Sequence, residues 1–146
     1  MIRTASLLAC LFVWAASSRA QVVVIAHKSV PMDTIRKVEL LNVYSGEVKK
    51  WSDDQPIVVL DLKPKDAVKI AFYKFLGKSS TRMKSIWLKK MLSGEGDPPE
   101  RMGSEEDMLE KVASTAGAIG FVSKAKVMMG EDVKILTEIG ARNGGG

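Results

Sequence analysis

Short apolar runs alternate along this chain with segments whose apolar residues recur every three or four positions. The runs "QVVVIAH", "IVVLDL" and "AIGFV", with a weaker one in "DVKILTEI", predict buried β-strands, and the first is suited to a parallel sheet. The periodic segments between them predict helices. Strands that alternate with helices predict an α/β domain with a mixed, mostly parallel sheet flanked by helices.

Local signals predict where three of these helices begin or end. Asp66 stands near the start of the second helix, where a carboxylate favours the helix dipole, and Gly77 ends it. The third helix is predicted over residues 80–92. Its apolar stripe comprises Met83, Trp87 and Met91. Ser104 and Asp107 have the spacing of a capping box and open the fourth helix.

The first twenty residues have the features of a secretory signal peptide. Arg3 supplies an early positive charge, an apolar run extends from Ala5 to Ala16, and Ser18-Arg19-Ala20 has small residues at the two positions that a signal peptidase reads. We therefore expect cleavage at the end of this segment and export to the periplasm. Cys10 leaves lipidation open as an alternative, although it lies inside the apolar run rather than after it.

Removal of this leader changes the composition. Residues 21–146 contain no cysteine, which excludes disulfides, a thiol nucleophile and thiolate metal ligands. The formal net charge falls from +5 to +3, because Arg3 and Arg19 leave with the leader. This excess can attract small anions but lacks the dense basic patch of a nucleic-acid-binding protein. We expect one α/β domain over residues 21–139 and a flexible tail over residues 140–146.

In open α/β sheets, ligands bind beyond the carboxyl ends of the strands. This rule puts His27 and Ser29, which follow the first strand, on one candidate rim with Lys63, Lys65 and Asp66, which follow the second. The single histidine has no evident partners for a metal site and is most simply a polar residue at a strand end. With no nucleophile elbow, phosphate-binding loop motif or metalloprotease helix, the sequence predicts no catalytic residue, cofactor or metal.

Four segments follow one another in an informative order. They are "LLNVYSGEVKKWSD", "IVVLDLKPKDAVKIAFYKFLG", "WLKKMLSGEGDPPERMGSEEDMLEKVAS" and "TAGAIGFV". In order and spacing they resemble landmarks of the phosphate-binding-protein-like family, the solute receptors of bacterial phosphate uptake systems. The resemblance covers residues 22–127. In the last segment, Ala116 and Phe121 stand where the family pattern has a proline and a tyrosine.

The resemblance implies a single lobe of a type II periplasmic-binding-protein-like fold and a solute-binding, non-catalytic role. Full receptors of the family are two-lobed clamps around the anion, and this chain has the length of one lobe. A homodimer or another protein would then supply the second lobe. Where the family has a Ser-Gly-Thr loop, this chain has Lys63-Pro64-Lys65-Asp66-Ala67, which lacks the hydroxyls and one amide donor.

Two functions are compatible with this resemblance. The first is weak or altered binding of phosphate or another small oxyanion by Ser29, Lys63, Lys65 and Asp66, with a membrane transporter as partner. The second is an accessory module that keeps the fold without its ligand and binds another periplasmic protein. The intact framework favours the first function, and the altered loop favours the second.

Overall fold

The computed structural model describes residues 21–127 and 132–140. The predicted signal peptide and all of the predicted tail except Gly140 lie outside the described residues. The described part of the chain contains five strands and five helices. In chain order these are β1 (Val22–Ala26), α1 (Lys37–Tyr44), β2 (Val58–Leu62), α2 (Ala67–Leu76), α3 (Ser80–Leu92), β3 (Glu100–Met102), α4 (Glu105–Ser114), β4 (Ala118–Ser123), α5 (Lys124–Val127) and β5 (Lys134–Ile139).

The strands form one sheet in the order β3-β2-β4-β1-β5. β2 pairs in parallel with β3 and β4, whereas β1 lies antiparallel to both β4 and β5. Four strands therefore run in one direction and β1 runs in the other. The predicted mixed sheet is confirmed, with two parallel and two antiparallel strand pairs instead of a mostly parallel set. We call the edge at which the four like-directed strands end the carboxyl edge, and the opposite edge the amino edge.

The direction of β1 differs from the sequence prediction of a parallel strand. All five residues of β1 are buried, because the strand has a neighbour on each side and helices pack on both faces. A strand enclosed in this way is apolar throughout, whichever way it runs, so its composition carries no information about its direction. As a result, the residues after β1 lie at the amino edge, beside the starts of β2 and β4.

Two adjacent residues of β4 show that helices cover both faces of the sheet. Gly120 lies under α4, where an added Cβ would collide with the sulfur of Met108. Phe121 faces the other way and stacks on Phe72 of α2, with ring centroids 3.9 Å apart. Tyr44 of α1 joins this cluster at 4.7 Å from Phe72. α4 therefore covers one face, and α1 and α2 cover the other.

The helix boundaries confirm the predicted ends of α2 and the N-cap of α4, but of the predicted capping box at Ser104 and Asp107 only one of the two hydrogen bonds is present among the described residues. α2 begins after Asp66 and ends at Gly77, and α3 spans the predicted residues 80–92. The hydroxyl of Ser104 accepts a hydrogen bond from the backbone N–H of Asp107 at 3.1 Å, as an N-cap does. The sequence pattern predicts neither β3 nor α5, because elements of three or four residues are too short to show a period.

The third helix packs less tightly than its predicted stripe implies. Met83 is buried and Trp87 half-buried, but Met91 is 47% exposed. Leu88 and Leu92 on the same helix are 53% and 81% exposed. Only the first half of the stripe therefore reaches the core, and the second half of α3 presents apolar side chains to solvent.

Candidate functional site

The antiparallel course of β1 separates the residues predicted to form one rim. Ser29 follows β1 and lies at the amino edge, whereas Lys63, Lys65 and Asp66 follow β2 at the carboxyl edge. Strands of five or six residues separate the two edges by about 15 to 20 Å. Three of the four predicted site residues therefore lie together, and Ser29 lies at the other end of the sheet.

At the amino edge, Ser29 joins three segments of the chain. Its hydroxyl accepts hydrogen bonds from the backbone N–H of Gly117 and from the side chain of Gln55, both at 3.1 Å. The same hydroxyl lies 2.8 Å from Nδ1 of His27, which also accepts the backbone N–H of Ser29. The cluster ties the end of β1 to the segments that lead into β2 and β4. It accounts for both polar residues as parts of a structural junction.

Replacing Ser29 with Ala should lower the free energy of unfolding by about 1 kcal/mol. The reason is that the N–H of Gly117, which is partly buried, loses its acceptor. Urea denaturation of residues 21–146 measures the loss. Ser52→Ala is the control, because the hydroxyl of Ser52 is exposed and makes no hydrogen bond within residues 21–127 and 132–140. Equal stability of the two variants would contradict the structural role.

At the carboxyl edge, the Lys63–Asp66 loop closes on the start of α2. The Asp66 carboxylate accepts hydrogen bonds from the backbone N–H groups of Val68 at 2.8 Å and Lys69 at 3.4 Å. The N–H of Asp66 bonds to the carbonyl of Lys63, which completes a tight turn. A carboxylate of the chain itself therefore occupies the helix N-terminus, where backbone N–H groups and the helix dipole favour an anion.

The two lysines of this loop are open to solvent. Lys63 and Lys65 are exposed, and neither forms an ion pair within the described residues. Lys65 has a positive φ of 69°, which turns the chain into the Asp66 cap. Two mobile ammonium groups beside a capped helix can attract an anion but lack the fixed donor geometry that makes binding selective.

A buried network of charged and polar side chains connects the end of β2 with α2. The sequence analysis did not predict it. Nζ of Lys69 lies 2.9 Å from a carboxylate oxygen of Asp61 and 3.0 Å from the carbonyl oxygen of Leu62. The Tyr73 hydroxyl donates to the same carboxylate oxygen at 2.8 Å. Burial, and then the adjacent carboxylate, raise the pKa of Tyr73 far above its ordinary value, so the hydroxyl remains a donor.

Two signals in the sequence could have identified this network. Asp61 interrupts an otherwise apolar strand, "VVLDL", and a lone carboxylate in a buried strand requires a partner. Lys69 and Tyr73 are four residues apart on α2 and thus share one face of the helix.

This network lines a cavity of about 280 Å³ between α2, α3 and the β3 side of the sheet. Most of the cavity wall is apolar. The apolar lining residues are Met83, Trp87, Leu88, Met91, Pro98 and Pro99. The charged lining residues besides the Asp61–Lys69 pair are Lys84 and Arg101, both exposed. The cavity thus combines an apolar wall with two positive groups that solvent reaches.

The mixed five-stranded sheet with helices on both faces is similar in fold to part of solved phosphate substrate-binding proteins. Solved structures with this fold include a putative phosphate ABC transporter substrate-binding protein from Clostridium perfringens with bound phosphate. The two chains are 20% identical, with a TM-score of 0.60 over 73% of this chain and 41% of that one.

Two further structures agree with this assignment. An ABC-type phosphate transport receptor from Vibrio cholerae is 18% identical, with a TM-score of 0.61 over 80% of this chain and 46% of its own. PstS from Borrelia burgdorferi is 16% identical, with a TM-score of 0.62 over 81% of this chain and 47% of its own. The chain thus spans less than half the length of these receptors, and the likeness establishes the fold.

Comparison of sequences, unlike comparison of structures, finds no similar protein. No protein-family model and no curated protein matches the chain. Within residues 21–127 and 132–140, no helix combines the length and apolar character that are needed to span a bilayer.

Proposed function

We propose that this chain is an exported, non-catalytic binding module built on one lobe of a phosphate-receptor-type fold, with weak phosphate recognition at most. The fold supports the general role of a solute-binding-type domain, since its structural neighbours are transport receptors. The predicted signal peptide supports export to the periplasm. The lack of a catalytic motif in the sequence supports a role without chemistry.

The observation that carries this proposal is the position of the Asp66 carboxylate. It accepts the first free N–H groups of α2, the groups that would otherwise face a bound oxyanion. A phosphate near this helix would meet a negative charge in place of free amide donors. Lys63 and Lys65 offset part of this repulsion, so a weak, salt-sensitive attraction remains.

A second function, docking to another periplasmic protein, is favoured by a separate observation. The second half of α3 exposes Leu88, Met91 and Leu92, which lie close together on one helix. A second copy of this chain or a transporter component is the partner proposed for this surface. In that case the fold would serve as a scaffold for contact rather than as a receptor.

A thermal melt of residues 21–146 in phosphate tests the proposal. At millimolar phosphate, the melting temperature should exceed that in sulfate of equal ionic strength by less than about 2 °C, because tight binding would stabilise the fold by several degrees. In Asp66→Ser, a neutral hydroxyl still caps α2, so the fold should persist and the phosphate response should increase.

Lys63→Gln with Lys65→Gln is the matched test of the remaining attraction. This double variant should lose the small response of the native chain, whereas Lys89→Gln, which removes an exposed lysine elsewhere, should retain it. A phosphate-selective rise of several degrees in the native chain would contradict the proposal. A sedimentation measurement in the same buffers distinguishes a monomer from a dimer that completes a cleft.

A further inference from the structure

The cavity between α2, α3 and the β3 side of the sheet, which we call the cavity beneath α3, has a rigid aromatic wall. Trp87 donates from its indole nitrogen to the backbone carbonyl of Tyr44 at 3.0 Å. The far end of its ring lies against Gly46, at 2.6 Å from where a Cβ would stand. These two contacts hold the indole in place, so the wall is already formed without a ligand. A preformed apolar wall reduces the ordering cost of binding.

The polar side chains at the buried end of the cavity are largely paired with one another. The Asp61 carboxylate is engaged by Lys69 and Tyr73, and both of these side chains are themselves buried. Among the described residues, every buried side-chain nitrogen and oxygen has a hydrogen-bond partner. The inner part of a matching ligand is therefore expected to be apolar, because a polar group there would lose its hydration and could meet at most the one unused N–H of Lys69.

The solvent-facing part of the cavity carries positive charge. Lys84 and Arg101 are exposed lining residues, and neither has a carboxylate partner within residues 21–127 and 132–140. The one lining carboxylate, Asp61, is neutralised by Lys69. The guanidinium group of Arg101 can bind a carboxylate or phosphate through two hydrogen bonds. The outer end of a matching ligand is therefore an anion.

From these features we infer that the cavity beneath α3 binds a small organic anion that has an apolar, ring-sized body and a terminal carboxylate. Its volume of about 280 Å³ lies just below the usual range for ligand pockets, which suits a body of one ring. The site lies on the face of the sheet between α2 and α3, so it is separate from the capped loop of Lys63–Asp66. Inorganic phosphate lacks the apolar body and would gain nothing from the wall.

Two tryptophans allow the cavity and a reference position to be observed in the same spectrum. Residues 21–146 include every described element and only two tryptophans, Trp87 in the cavity wall and Trp51. Trp51 is buried at the amino edge, where its indole nitrogen bonds to the carbonyl of Gly117. The measurement is the ¹H–¹⁵N shift of both indole groups during titration with 3-phenylpropanoate. We expect a saturable shift of Trp87 with a Kd in about the millimolar range or tighter, and no shift of Trp51.

Matched ligands and variants separate the parts of the inference. The uncharged 3-phenylpropanamide should bind about tenfold more weakly, and acetate and inorganic phosphate should leave Trp87 unmoved. Arg101→Gln should weaken 3-phenylpropanoate about tenfold. Arg82→Gln, which removes an exposed α3 cation outside the cavity lining, should not.

Three results would overturn the inference. Equal binding of acid and amide would show that the cations contribute nothing. An unchanged Kd in Arg101→Gln, with an otherwise normal spectrum, would show that Arg101 does not bind the carboxylate. If the Trp87 indole signal does not shift at ligand concentrations well above the millimolar range, the cavity is not a ligand site. The same result is expected if another part of the chain or a partner protein fills the cavity, and it contradicts the inference in that case too.

Discussion

Replacing Lys69 with Met should lower the free energy of unfolding by about 3 to 5 kcal/mol. The ammonium group lies 2.9 Å from the Asp61 carboxylate, and the exposed fractions of the two side chains are only 7% and 9%. The variant leaves a buried carboxylate with the Tyr73 hydroxyl as its remaining side-chain donor. Urea denaturation of residues 21–146, followed by circular dichroism, measures the change.

Lys126→Met is the control for the removal of a positive charge. Lys126 pairs with Glu106 in the open, where solvent screens the pair, so its replacement should leave stability nearly unchanged. Asp61→Asn combined with Lys69→Met should recover a large part of the loss, because the buried charge is gone and the amide oxygen still accepts from Tyr73. A double variant as unstable as Lys69→Met alone would contradict the explanation from an uncompensated charge.

Replacing Gly117 with Ala should lower the free energy of unfolding by about 3 kcal/mol. Gly117 has a φ of +76°, a conformation that costs a residue with a side chain about 1 to 2 kcal/mol. In addition, a Cβ at this position would collide with the backbone carbonyl oxygen of Pro56, which cannot rotate away as a side chain can. The same denaturation experiment measures the effect.

Gly77→Ala separates the two causes. Gly77 has nearly the same φ, +73°, but nothing lies within 4 Å of a Cβ added there. Its replacement should therefore cost only the conformational part, about 1 to 2 kcal/mol. Equal losses in the two variants would show that the contact with Pro56 is relieved by a small shift of the chain.

The helices were the most predictable part of this fold, because their signals are local. Asp66 and Gly77 bound α2, and Ser104 opens α4, through hydrogen bonds to backbone groups that are only two to five residues away. Such contacts need no other part of the chain. The resemblance of four successive sequence segments to phosphate receptors also predicted the fold. Structural comparison confirms this fold at sequence identities of 20% or less.

The candidate site was less predictable, since it depends on strand direction. Ser29 and Lys63 share a rim only if the first two strands are parallel, and the apolar sequence of β1 is equally compatible with either direction. The Asp66 carboxylate was expected as a rim group. In the structure it turns inward to cap its own helix, which removes the amide donors beside it from an anion site.

The sequence by itself determined the class of fold, the extent of the longer helices and the lack of hydroxyl groups in the loop before α2, because each rests on residue type and short-range spacing. Only the tertiary structure decided the direction of β1, the pairing of Asp61 with Lys69 and the cavity beside Trp87. Each of these brings together segments that are distant in sequence, and such contacts are selected by the packing of the whole core. Residue patterns predict which groups must be buried, whereas packing decides which groups meet.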